Sequence, residues 1–111
     1  MKISFEDHDR TTVVVVKGVL TSDETDTFRR ACLERMTDGK SEIVLDLHEL
    51  EMIDSAGLEL LLWLSDEVAN HGGQLRLVRP SNAVAKIFSI TRLEQRFNMH
   101  DSVEAAARSL L

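Results

Sequence analysis

The apolar residues of the chain fall into short runs, and their spacing changes along its length. In KISFE, residues 2–6, Ile3 and Phe5 alternate with polar neighbours, the period of a half-buried strand. After the polar turn DHDR, the segment TTVVVVKGVL carries four consecutive valines, which suit a strand buried on both faces. The two runs predict an antiparallel hairpin. In TSDETDTFRRACLERMTDGK, Phe28, Cys32 and Met36 recur every four residues, with Ala31 beside them, as the inner stripe of a helix does. Thr21 and Glu24 have capping-box spacing, which predicts a helix start near Ser22, and Gly39 ends it.

Residues 42–47, EIVLDL, predict the third strand. From Ala56 or Gly57 to about His71, the positions of Leu58, Leu61, Leu62, Leu64 and Val68 cover most of a helical circumference. This is predicted to be the most buried helix, and Gly72-Gly73 stop it. QLRLVRP supplies a fourth strand over 74–79, closed by Pro80. Strand 42–47, helix 57–71 and strand 74–79 have the length of a βαβ unit, so these two strands should be parallel, with a right-handed crossover. SNAVAKIFSI predicts a helix from Asn82 with Val84, Ile87 and Phe88 inward. Thr91–Glu94 and Asp101–Glu104 read as two further helix starts, bracketing an extended FNM that would add an edge strand. The order β-β-α-β-α-β-α-(β)-α describes one α/β domain over residues 1–111, a mixed sheet packed with about four helices.

Charge and composition narrow the function. The net charge is −6, and the basic residues are scattered, with Arg29-Arg30 the only adjacent pair. Binding to nucleic acid or to an anionic membrane draws on Lys and Arg clusters, so neither is expected. MKISFEDHDR turns acidic where the apolar core of a signal peptide would begin. The stretch Leu58–Leu64 carries Glu59 and is too short to span a bilayer. A soluble cytoplasmic protein is expected. Cys32, the one cysteine, lies on the apolar helix stripe and reads as a small core residue.

No familiar catalytic pattern emerges. The four histidines, His8, His48, His71 and His100, lie far apart without a second ligand at helical spacing, so no metal site is expected. Gly72-Gly73 ends a helix and introduces a strand, the reverse of a phosphate loop. Ser55 is not in a nucleophile elbow, because Ile53 stands where G-x-S-x-G requires glycine. Asp54 and Glu59 near a helix start read as capping or solvated carboxylates rather than a glycosidase pair.

What remains is the junction MIDSAGLE, residues 52–59. Asp54 or Ser55 occupies the N-cap position, where a side-chain oxygen accepts from a free N–H of the first turn. Ala56 and Gly57 are small and would leave the backbone and the Ser55 hydroxyl open to an approaching surface. One reading is a capped helix start with small residues for tight packing. The other makes Ser55 a phosphorylation site, since a helix N-terminus accepts an anion.

The stretches IVLDLHELEMIDSAGLELLL, GGQLRLVRP and VAKIFSITRLEQRF resemble the STAS domains, in particular the bacterial anti-sigma factor antagonists. The D-S-[small]-G-L motif of that family is matched by Asp54-Ser55-Ala56-Gly57-Leu58, and the resemblance spans nearly the whole chain. It implies a switch protein rather than an enzyme. In such antagonists the serine matching Ser55 is phosphorylated by an ATP-dependent anti-sigma factor kinase of the GHKL type. The unphosphorylated antagonist binds that kinase and displaces its sigma factor or other target, and a serine phosphatase resets the cycle. Partner contacts are then expected at Asp54, Ser55, Ala56, Gly57 and Thr21. The nucleotide and its Mg²⁺ belong to the kinase, so no cofactor is expected on this chain. The family often carries G-E-L-D after the second strand, where this chain has Gly18-Val19-Leu20-Thr21, without the two acids. The resemblance also extends to cytoplasmic STAS subunits that dock on the ATPase of an ABC transporter, the alternative partner.

Overall fold

The valine run becomes β2 (Thr11–Leu20), the longest strand of the sheet in a computed structural model that describes residues 1–111. β1 (Lys2–His8) pairs with it antiparallel, from Lys2 opposite Lys17 to His8 opposite Thr11, as the hairpin reading required. α1 (Thr25–Thr37) follows, and then β3 (Glu42–Asp46) lies parallel to the first half of β2, from Thr11 opposite Glu42 to Val15 opposite Asp46. A second, shorter strand, β4 (Leu50–Ile53), then runs parallel to the last residues of β2.

β4 leads directly into α2 (Ser55–Asn70), which returns the chain to β5 (Leu75–Val78), parallel to β3. α3 (Asn82–Ile90), a 3-10 turn at Leu93–Gln95 and β6 (Met99–His100), parallel to β5, precede the last helix, α4 (Val103–Arg108). The main path of the sheet is β1-β2-β3-β5-β6, with β4 attached to β2. The single mixed sheet and four helices agree with the expected class.

The two faces of the sheet are covered unequally. One carries the main core, where Phe28, Cys32 and Met36 of α1 and Leu60, Leu61, Leu64 and Val68 of α2 meet Val14, Val16, Ile43, Leu45 and Leu77. Val84 and Phe88 of α3 join them, and the Phe88 ring lies 5.8 Å from that of Phe97. On the other face α4 alone packs on Val13, Val44 and Val78 through Ala106. Four successive valines are therefore used on both sides. Cys32 is fully enclosed, and burial pushes its thiol pKa up to about 12, so it stays neutral.

Three helix starts differ from the capping-box reading. α1 begins at Thr25 rather than near Ser22, because residues 21–24 close a turn in which the Glu24 N–H donates to the Thr21 carbonyl at 2.9 Å. Thr91 ends α3 instead of starting a helix, its hydroxyl donating back to the Ile87 carbonyl at 2.7 Å. Ser102, not Asp101, caps α4 by accepting from the Ala105 N–H.

One buried charge sits at the carboxyl end of β3. Asp46, only 4% exposed, accepts from the His48 N–H, the His48 ring and the Arg79 guanidinium. Burial alone would raise its pKa. The Arg79 hydrogen bond, the two from His48 and the Arg79 charge outweigh that and lower it below the ordinary value. A carboxyl lowered in the folded state stabilises the fold above its unfolded pKa of about 3.9, and the contribution is lost as pH falls through the folded value. Asp46→Asn should therefore cost about 1–3 kcal/mol near neutral pH, with the gap to wild type closing below about pH 4; urea unfolding at several pH values checks both. Leu61→Ala should open a cavity beneath α2 and cost roughly 2–5 kcal/mol in the same assay.

Candidate functional site

The site begins with an irregularity in strand pairing. Gly18 faces Leu50, but Val19 faces Met52, so Glu51 is an extra residue on β4, the pattern of a β-bulge. Gly18 holds φ at +94°, a left-handed conformation that glycine adopts at little cost. The bulge restores alternation one residue later: Leu20 and Ile53 turn inward while Val19 and Met52 turn outward.

Asp54 follows Ile53 with extended backbone and is the N-cap of α2. One carboxylate oxygen accepts from the Gly57 N–H at 2.9 Å, and the other accepts from the Ser22 N–H at 3.1 Å. The Asp54 N–H itself donates to the Leu20 carbonyl at 3.3 Å. One residue thus fastens the start of α2 to the end of β2 and to the turn before α1. No basic side chain forms an ion pair with it.

Gly57 completes the fastening from below. A Cβ on residue 57 would stand 2.6 Å from the Leu20 carbonyl oxygen and 2.6 Å from Ile53 Cγ1. The first turn of α2 therefore rests on the end of β2 at a distance that only glycine permits. Gly57 is buried, so its missing side chain serves this contact, in keeping with the tight-packing reading of the small residues and not with an open surface at this position.

The capping question is thereby answered in favour of Asp54. Ser55 is the first helical residue and is exposed, and its hydroxyl makes no hydrogen bond within the fold. The N–H groups of Ser55 and Ala56 also find no partner, leaving two free donors at the positive end of the helix dipole. Ala56 is half-buried beside it. Thr21 is half-buried too, and comes to the junction through its neighbour Ser22. The five residues singled out in the sequence do meet, but in unequal roles: Ser55 outward, Asp54 and Gly57 structural, Ala56 and Thr21 at the margin. Ser22, read in the sequence only as a helix start, is tied to the junction by its N–H.

A larger open groove, about 640 Å³, lies at the other end of β2 between Glu6, Arg10, Val13, Val103 and Ala107. It contains none of these residues. The four histidines remain apart, each bonded to a near neighbour in sequence: Glu6, Asp46, Glu67 and Asn98.

The STAS domain sequence profile matches residues 2–106. The chain belongs to the STAS family. Over 107 residues, 96% of this chain and 92% of the relative, it is 28% identical to a Bordetella bronchiseptica protein, BtrV, which carries the name of an anti-sigma factor antagonist. The crystal structure of a Thermotoga maritima protein named in the same way superposes with a TM-score of 0.89 at 21% identity, covering 97% and 93% of the two chains. The anti-sigma factor antagonist SpoIIAA in its unphosphorylated form gives 0.80 at 25% identity, covering 96% and 92%. The phosphorylated form of SpoIIAA, from Bacillus, gives 0.76 at 23%, covering 97% of both chains. No helix of this STAS domain is long and apolar enough to cross a membrane.

Three substitutions should separate architecture from chemistry at the junction. Gly57→Ala should cost about 1–3 kcal/mol by forcing α2 off the Leu20 carbonyl, and Asp54→Ala about 1–2 kcal/mol through the lost cap. Ser55→Ala should stay within about 0.5 kcal/mol of wild type, as expected of an exposed residue outside any cap. Urea denaturation of the three proteins measures all of these.

Proposed function

We propose that this STAS domain is a phosphorylation-controlled anti-sigma factor antagonist that binds a serine kinase of the GHKL type when Ser55 is unmodified. The observation that carries this reading is the division of labour between adjacent residues. Asp54 holds the helix, which frees the Ser55 hydroxyl at an exposed helix start.

The physical consequences suit a switch. A phosphate on Ser55 adds about −1.5 to −2 charge. Within the domain it meets two free N–H groups and the positive end of α2, and it displaces no bond of the fold. SpoIIAA keeps the shared fold in both its phosphorylated and unphosphorylated forms, in line with that tolerance. Across an interface the balance reverses. The dianion would lie beside the Asp54 carboxylate with no cation of this chain paired there, and covering it with a surface made for a small neutral hydroxyl costs on the order of several kcal/mol. In this cycle the kinase brings ATP, a phosphatase removes the phosphate, and the STAS domain contributes the acceptor oxygen and the docking surface.

Incubation with the cognate kinase and ATP should add one phosphate to the wild-type chain, read by intact mass, and none to Ser55→Ala. Ser55→Ala should bind the kinase whether or not ATP is present, and Ser55→Asp should bind weakly. Phosphate on another residue, or stable co-purification with an ABC-transporter ATPase in place of a kinase, would contradict the reading.

A further inference from the structure

Two large apolar side chains face water beside Ser55. Val19 is 38% exposed and Met52 55% exposed, and they are cross-strand partners on β2 and β4. Their outward direction follows from the bulge at Glu51, with Leu20 and Ile53, one step further on, fully committed to the core. The pair is thus placed by strand register rather than by chance rotamers. Met52 stands three positions before Ser55, so the chain keeps their Cα atoms within roughly 11 Å. The pair therefore lies within the reach of a protein surface that covers Ser55.

The charges around it are specific. Lys17, the basic residue nearest in β2, is already paired with Glu49 at 3.4 Å. Glu51, next to Met52, and Asp23, four residues after Val19, are exposed and join no ion pair. The chain next to the pair is therefore acidic and unpaired, with Glu51 beside Met52 in β4 and Asp23 just past the end of β2.

We infer that Val19 and Met52 form an apolar ledge that selects the partner: the kinase that reads Ser55 covers it with an apolar socket, flanked by Lys or Arg side chains opposite Glu51 and Asp23. This rests on the reading of Ser55 given above and adds to it what the partner's face must look like. The ledge supplies affinity by removing apolar surface from water, which salt barely affects. The two carboxylates steer the approach, which salt weakens. The phosphate of a modified Ser55 would stand at the rim of the apolar socket, where the wall offers it no hydrogen bond.

The test titrates the purified GHKL-type serine kinase from the same genome with the full chain at low and high salt. The chains compared are wild type, Met52→Ser, Val19→Thr/Met52→Ser and Met52→Leu. Intact mass after incubation with ATP follows Ser55 separately, and urea midpoints establish that each variant is folded. The ledge predicts that the double variant loses about fivefold or more in affinity at both salt concentrations, whereas Met52→Leu keeps wild-type affinity. If the double variant proves unfolded, the single Met52→Ser is held to the same threshold. Affinity retained to better than that threshold would overturn the ledge while leaving Ser55 as the acceptor. A wild-type chain that neither binds the kinase nor takes up phosphate would overturn the Ser55 reading, and the ledge with it.

Discussion

Asp54 joins two parts of the chain that are distant in sequence, the start of α2 and residues 20–22. Its carboxylate caps α2 through Gly57 and ties the turn before α1 through Ser22, and its backbone N–H donates to the Leu20 carbonyl at the end of β2. The close seat of Gly57 on the Leu20 carbonyl sets how near α2 can come, and the carboxylate sets where it starts. Everything exposed at the junction inherits its position from these contacts. The Ser55 hydroxyl is free because its neighbour already caps the helix.

The uneven covering of the sheet supports that arrangement. The main core lies under α1, α2 and α3, and α2 contributes Leu60, Leu61, Leu64 and Val68 to it. A helix anchored along its length keeps its first turn in place even when the exposed residue there changes charge. The other face depends on α4 and a small valine cluster, and the buried Arg76 guanidinium is satisfied there by the Ser109 hydroxyl together with groups of Leu75 and Gln74. The groups that hold the fold together are thus distinct from the hydroxyl that it leaves exposed at the junction.

Much of this was legible in the sequence where periodicity was strong. Phe28, Cys32 and Met36 marked α1, the valine run marked β2, and α2 and α3 fell within two residues of their predicted starts. β4 was not legible. LEMI buries only its ends, because the bulge residue Glu51 breaks the two-residue alternation that identifies a strand. The capping-box spacing was misleading at Thr21 and Thr91, since a Thr three residues before a Glu equally suits a turn or a helix end, and tertiary bonds decide between them. The junction was found from DSAG and tight packing was one of its two readings, but the surface that Gly57 packs on was not legible, because it is a carbonyl on another strand. Val19 and Met52 were hidden for the same reason: which side of a short strand faces water depends on register, and register depended on an unpredicted bulge.

The central claim is that an anion at Ser55 spoils docking without spoiling the domain. The most direct measurement compares the stoichiometrically phosphorylated chain with the unmodified one, by urea unfolding and by affinity for the kinase in the same buffer. The account predicts stabilities within about 0.5 kcal/mol of each other, together with an affinity lower by about tenfold or more in the phosphorylated form. A phosphorylated chain that unfolds markedly earlier, or one that binds as tightly as before, would contradict it.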